Sequence, residues 1–188
     1  MKKLLVAGAL ALMGTAANAQ LQQGNWTVGS DLVNMRFTNG FALSLQPRAA
    51  YFIQDRWAVG AHVGVDVQKV NGESDTQTNW EIAPFTRYYF TSSQIDSMLR
   101  NGAFFGEALI GVGGVNSSGG DTTNGFVYGI GAGYSYFITE NVSVEGLLKF
   151  RGITGGGNDS DNNDVFLGVG FSIYLPSAKV RQVANDRQ

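Results

Sequence analysis

Residues 126–137 read FVYGIGAGYSYF. Up to residue 136, even positions carry Phe126, Tyr128, Ile130, Ala132, Tyr134 and Tyr136, and odd positions carry Val127, Gly129, Gly131, Gly133 and Ser135. Such a glycine run has two physical meanings. One is a phosphate-cradling loop, which needs G-x-G-x-x-G between a strand and a helix. Here the third spacing is wrong, and aromatics continue in step on both sides, so no helix begins. The other is a strand whose successive side chains point to opposite faces. One face is then bulky and apolar and the other nearly bare.

The same period of two recurs outward from this stretch, over 25–34, 41–51, 57–67, 80–90, 103–114, 142–151 and 165–175. In 57–67, Trp57, Val59, Ala61, Val63, Val65 and Val67 oppose Ala58, Gly60, His62, Gly64 and Asp66; in 142–151, Val142, Val144, Leu148 and Phe150 oppose Ser143, Glu145, Lys149 and Arg151. With 124–136 that makes eight strands. Polar Gly/Asn/Asp-rich loops at 68–78, 115–123 and 152–164 alternate with short turns at 52–56 and 137–141. The 91–101 connection is longer and has room for a helical turn, with Ile95, Met98 and Leu99 on one face. Short turns at one end and long loops at the other are the pattern of an up-and-down transmembrane barrel.

A soluble sandwich or lipocalin-like barrel also alternates, but three features oppose it. The polar face is mostly Gly, Ala and Ser, and only three lysines follow residue 3. Charged residues make up 15% of the chain, against roughly a quarter in soluble domains. Aromatics gather at strand ends: Trp26, Tyr51, Trp57, Tyr88, Phe90, Phe104, Tyr134 and Tyr136 at the turn end, and Phe41, Trp80, Phe126, Tyr128 and Phe150 at the loop end. Two aromatic girdles suit two lipid–water boundaries. The expected fold is all-β, an eight-stranded antiparallel up-and-down transmembrane β-barrel.

The N-terminus fixes the compartment. Lys2 and Lys3 precede an apolar run from Leu4 to Ala17, too short to span a bilayer, and Ala17-Asn18-Ala19 is an A-x-A cleavage site. Residues 1–19 are therefore expected to be a cleaved signal peptide, 20–176 the barrel and 177–188 a short C-terminal tail. The chain has no cysteine, hence neither a lipid-attachment site nor a disulfide framework. After removal of Lys2 and Lys3, 11 basic residues face 15 acidic ones, which offers no basic field for nucleic acid. An exported chain with no transmembrane helix enters a membrane only as a closed barrel. The expected location is the outer membrane. Its lipid and lipopolysaccharide and, during insertion, the barrel-assembly machinery are the expected partners of a monomer.

Turning the small face inward puts charges in the lumen. Asp31, Asp66, Glu81, Lys149 and Arg151 fall near the loop end, and Arg48, Arg87, Glu107 and Glu145 nearer the turns. Buried charges are costly unless paired, so this near-balanced set predicts an internal ion-pair network plugging a barrel barely wide enough for its own side chains. A narrow gated channel, or a transporter of small or apolar solutes, is the alternative.

His62, the only histidine, faces inward. Asp66, four residues on, lies about 13 Å along the strand, too far for a catalytic pair, and no catalytic site is expected. The loop GGGNDSDNND (155–164) holds Asp159, Asp161 and Asp164, yet lacks the sixth-position glycine and twelfth-position glutamate of a calcium-binding EF-hand. Neither a metal nor a cofactor is expected.

Several stretches match a known pattern: ANAQ (17–20), SLQPRAAYFIQDRWAVG (44–60), PFTRYYF (84–90), FFGEALIGVG (104–113), YFITENVSVE (136–145) and the terminal GFSIYL (170–175). In their order and spacing the chain resembles the small outer-membrane β-barrel proteins common in the Bacteroidota. The resemblance covers nearly all of the chain after the signal. It implies an eight-stranded outer-membrane barrel and little about activity, since fold does not determine function. YFIQDRWAVG (51–60) and YFITENVSVE also echo one another four strands apart.

Overall fold

A computed structural model describes residues 20–36, 40–70, 76–90, 102–117, 123–155 and 162–177. The predicted signal segment 1–19, the 91–101 connection and the chain after Ser177 lie outside the described residues, as does most of the aspartate-rich loop.

Eight strands follow one another: β1 (Trp26–Arg36), β2 (Gly40–Gln54), β3 (Trp57–Val70), β4 (Thr76–Phe90), β5 (Gly102–Ser117), β6 (Thr123–Thr139), β7 (Val142–Thr154) and β8 (Asn162–Leu175). Each pairs antiparallel with the next, and β8 pairs back onto β1 to close the barrel. Closure removes the unpaired edges that an open sheet exposes. The seam is the shortest ladder. β1 pairs with β8 only from Trp26 to Val33, whereas β5 pairs with β6 from Gly102 to Val115. A register shift between Val33 and Arg36, on the β2 side of β1, marks where that strand becomes irregular.

The strands run further than the alternation alone indicates. The 52–56 and 137–141 turns contract to Asp55–Arg56 and Glu140–Asn141. Phe52 and Phe137, which look like turn residues, continue β2 and β6 with their rings inside the barrel. Their neighbours misled the reading: polar tips adjoin these aromatics, and one register irregularity beside each turn (Phe52/Gln54, Phe137/Thr139) breaks the period of two. The long loops shrink likewise, leaving only 71–75 between β3 and β4.

Burial follows parity, in the reverse sense to a water-soluble protein. Outside, Leu167 is 73% exposed and Ile130 65%; inside, Lys149 is 2% exposed and Glu81 and Glu145 1% each. An apolar exterior around a charged interior suits hydrocarbon as the surrounding solvent.

The glycines fit this arrangement in two ways. At Gly64 a Cβ would stand 2.5 Å from Glu81 Cγ, and at Gly170 it would strike the Asp31 carboxylate. On β6 the main neighbours are apolar: Leu109 at Gly129, Leu147 at Gly131 and the Phe105 ring at Gly133. The bare face of the opening stretch therefore makes room mostly for bulky apolar groups from β5 and β7.

Candidate functional site

The lumen is filled in three levels. At the turn end, Phe52, Tyr89, Phe105, Phe137 and Tyr174 form an aromatic layer. The Phe137 and Tyr174 rings lie 5.2 Å apart, Tyr89 and Phe105 5.7 Å, and Phe52 and Tyr89 5.9 Å. The Tyr89 and Tyr174 hydroxyls share a 3.2 Å hydrogen bond.

Above it six charged groups from five strands form one chain of alternating sign: Asp31 (β1), Arg48 (β2), Glu145 (β7), Arg87 (β4), Glu107 (β5) and Lys149, the second from β7. Arg48 pairs with Asp31 and, at 2.6 Å, with Glu145 Oε2. Arg87 reaches that same oxygen at 2.7 Å and Glu107 at 2.6 Å, and Lys149 meets Glu107 at 3.0 Å. The other Glu145 oxygen accepts from Ser135 at 3.0 Å and Ser143 at 3.3 Å. Arg48 also donates to Ser172 at 2.9 Å. The Arg87 guanidinium lies 4.0 Å from the Phe105 ring centre, joining the charged level to the aromatic one. Three negative and three positive charges leave this chain neutral.

Register explains why these partners meet. Arg87 lies directly opposite Glu107, and Glu107, Gly131 and Lys149 stand abreast on β5, β6 and β7. Gly131 has no side chain, so Lys149 reaches Glu107 across β6.

Towards the loop end a smaller group forms. His62 Nε2 lies 2.6 Å from Glu81 Oε1, and the other Glu81 oxygen pairs with Arg151. His62 stands opposite Ala83 and Glu81 opposite Gly64, so this is a diagonal contact across β3 and β4. Asp66, opposite Ser44, takes no part in these ion pairs.

Nine of the ten predicted interior residues thus enter two ion-paired groups. The division by strand position does not match the pairing: Asp31 joins Arg48, and Lys149 joins Glu107, across the supposed boundary. The sequence reading missed the His62–Glu81 contact because it measured distance along one strand and not across the hairpin. It also missed the inward roles of Phe52, Phe105 and Phe137.

Outside, rings contact one another near the turns: Trp26 and Tyr51 at 5.2 Å, Tyr88 and Phe90 at 5.1 Å, Phe104 and Tyr134 at 5.0 Å. Trp57 donates to the Thr86 hydroxyl at 2.7 Å, and Tyr136 is exposed. At the loop end Phe126 stacks on Tyr128, whose hydroxyl donates to Asn163; Phe150 is exposed and Trp80 half-buried. The Phe41 side chain lies outside the described residues. Among the described residues no cluster of three or more His, Cys, Asp or Glu is placed to hold a metal ion.

No protein-family model matches the chain, and no curated protein matches it. Solved structures do. Neisserial surface protein A superposes with a TM-score of 0.59 at 14% identity, over 80% of this chain and 97% of that one. The N-terminal β-barrel domain of Pseudomonas aeruginosa OprF gives 0.54 at 15% identity, over 81% and 98%. The chain shares with both the closed eight-stranded antiparallel barrel fold.

Proposed function

We propose that this protein is an integral outer-membrane barrel with a closed lumen, serving as a structural or surface-interaction element and not as a pore or an enzyme. The observation that carries the reading is the neutral chain from Asp31 to Lys149. It crosses the interior above an aromatic layer, in a barrel whose strand number leaves room for little more than side chains. The apolar exterior, two aromatic girdles and the predicted signal peptide support residence in the outer membrane. Lipid and lipopolysaccharide would surround it, and the barrel-assembly machinery would insert it as a monomer. The resemblance to the small Bacteroidota barrels is compatible with this and adds no activity. His62 faces Glu81 inside the lumen, so no catalytic role is assigned to it.

Recording from the pure protein in planar bilayers tests the closed lumen. The expected outcome is no stable conductance. Reproducible unitary currents from the wild-type chain would overturn the reading in favour of a narrow channel.

A further inference from the structure

Residues 20–25, just before the first strand, are part of the folded molecule. Residues 20–25 run beneath the turn end of the barrel, where Leu21 is 1% exposed and joins the cluster of Phe52, Phe137 and Tyr174. Gly24 N donates to Phe52 O at 2.9 Å, and Phe52 N donates to Asn25 O at 2.9 Å. Arg56 N donates to Leu21 O at 2.6 Å. Gln23 adds its backbone N–H to the Asp55 carboxylate and its side-chain amide to Ile53 O, both at 2.9 Å. Asn25 folds the segment on itself by donating to Gln20 O at 3.2 Å, and its own side-chain oxygen accepts from Ser177 N at 3.1 Å.

These bonds share one property. Apart from the internal Asn25–Gln20 bond, they go to the end of β2, to the β2–β3 turn and to Ser177, and none belongs to the ladder between β1 and β8, which begins at Trp26. The β1–β8 seam is complete without the segment. What the segment supplies is an apolar plug for the aromatic layer and partners for the Phe52 and Arg56 amides.

We propose that residues 20–25 are a detachable strap that seals the turn-end mouth of the barrel, held in a cradle formed by Phe52, Ile53, Asp55 and Arg56. The cradle fits a short, turn-forming polar peptide with one leucine. This goes beyond the closed-lumen reading: the strap can seal the mouth whether or not the charges above it block ions, so labelling and conductance can fail separately.

The native chain has no cysteine, so one introduced thiol reports alone. Phe137→Cys places it in the aromatic layer, and a charged water-soluble thiol reagent measures access from the mouth. Two companions carry the same reporter: a chain lacking residues 20–24, and the full-length chain with Leu21→Asp. The Leu21→Asp chain keeps the test open if the deletion does not fold. Folding of each is checked by heat-dependent gel mobility. Opening of the strap as a local unit predicts labelling at least about tenfold faster in both companions. A synthetic peptide of sequence QLQQGN is expected to restore protection to the strapless barrel, and the same peptide with Asp for Leu is not. Equal labelling rates in folded chains with and without the strap would overturn the proposal, as would peptide protection indifferent to the leucine.

Discussion

Glu145 receives more partners than any other interior group: two guanidinium groups on one oxygen, and the Ser135 and Ser143 hydroxyls on the other. A buried pair adds little net stability when intact, but removing one partner leaves a desolvated charge and costs about 3–5 kcal/mol. Glu145→Gln leaves Arg48 with Asp31 and Arg87 with Glu107 but one positive charge of the chain uncompensated, and chemical unfolding in lipid vesicles is expected to show a loss of that order. On the opposite face of the wall, Ile130→Arg puts a charge towards lipid, at roughly 2–4 kcal/mol near the bilayer midplane. Its inward neighbour behaves differently. Gly131→Leu inserts a side chain beneath the Glu107–Lys149 bridge, where overpacking costs about 1–3 kcal/mol. The two substitutions are separated by their response to solvent: the Ile130→Arg defect should shrink when thick bilayers are replaced by detergent, and the Gly131→Leu defect should not. The contrast between these adjacent residues was legible in the sequence, because alternation assigns faces without any knowledge of partners.

At the scale of strands, partners depend on register, and register is set at the turns. The β3–β4 register puts His62 diagonal to Glu81, and the contraction of the β2–β3 turn to Asp55–Arg56 sets His62 opposite Arg48. Arg56 there has φ of 68°, a left-handed conformation that costs a residue with a Cβ about 1–2 kcal/mol. Alternation alone fixes neither the turn length nor the diagonal, which is why the number of strands could be read and the pairing within the lumen could not. The 20–25 segment was illegible for another reason: its hydrogen bonds go to distant backbone, and six residues without periodicity carry no pattern to read. The aromatic layer depends on β6, β8 and β2 extending to their turns. Tyr174→Phe removes a hydroxyl hydrogen-bonded to Tyr89, and leaving that partner unmet in the interior costs about 1–3 kcal/mol. The measurement is the shift in denaturant midpoint at unchanged slope.

For the molecule as a whole, the shape of the closed sheet was legible because the outside had to be apolar along every strand, and the sequence repeats that demand eight times. The short β1–β8 seam leads to a statement about time. A cylinder held by eight ladders opens first along the one with the fewest rungs, and here that opening starts at the loop end, where β1 leaves β8 after Val33. The same seam is then the last to zip when the chain enters the membrane, so it governs how long the barrel lingers as a curled, unclosed sheet. A disulfide joining the register partners of Leu32→Cys and Val169→Cys is expected to slow unfolding in denaturant more than one joining Leu109→Cys and Gly129→Cys on β5 and β6. Stopped-flow unfolding of the two stapled barrels would show which seam sets the lifetime of the closed form.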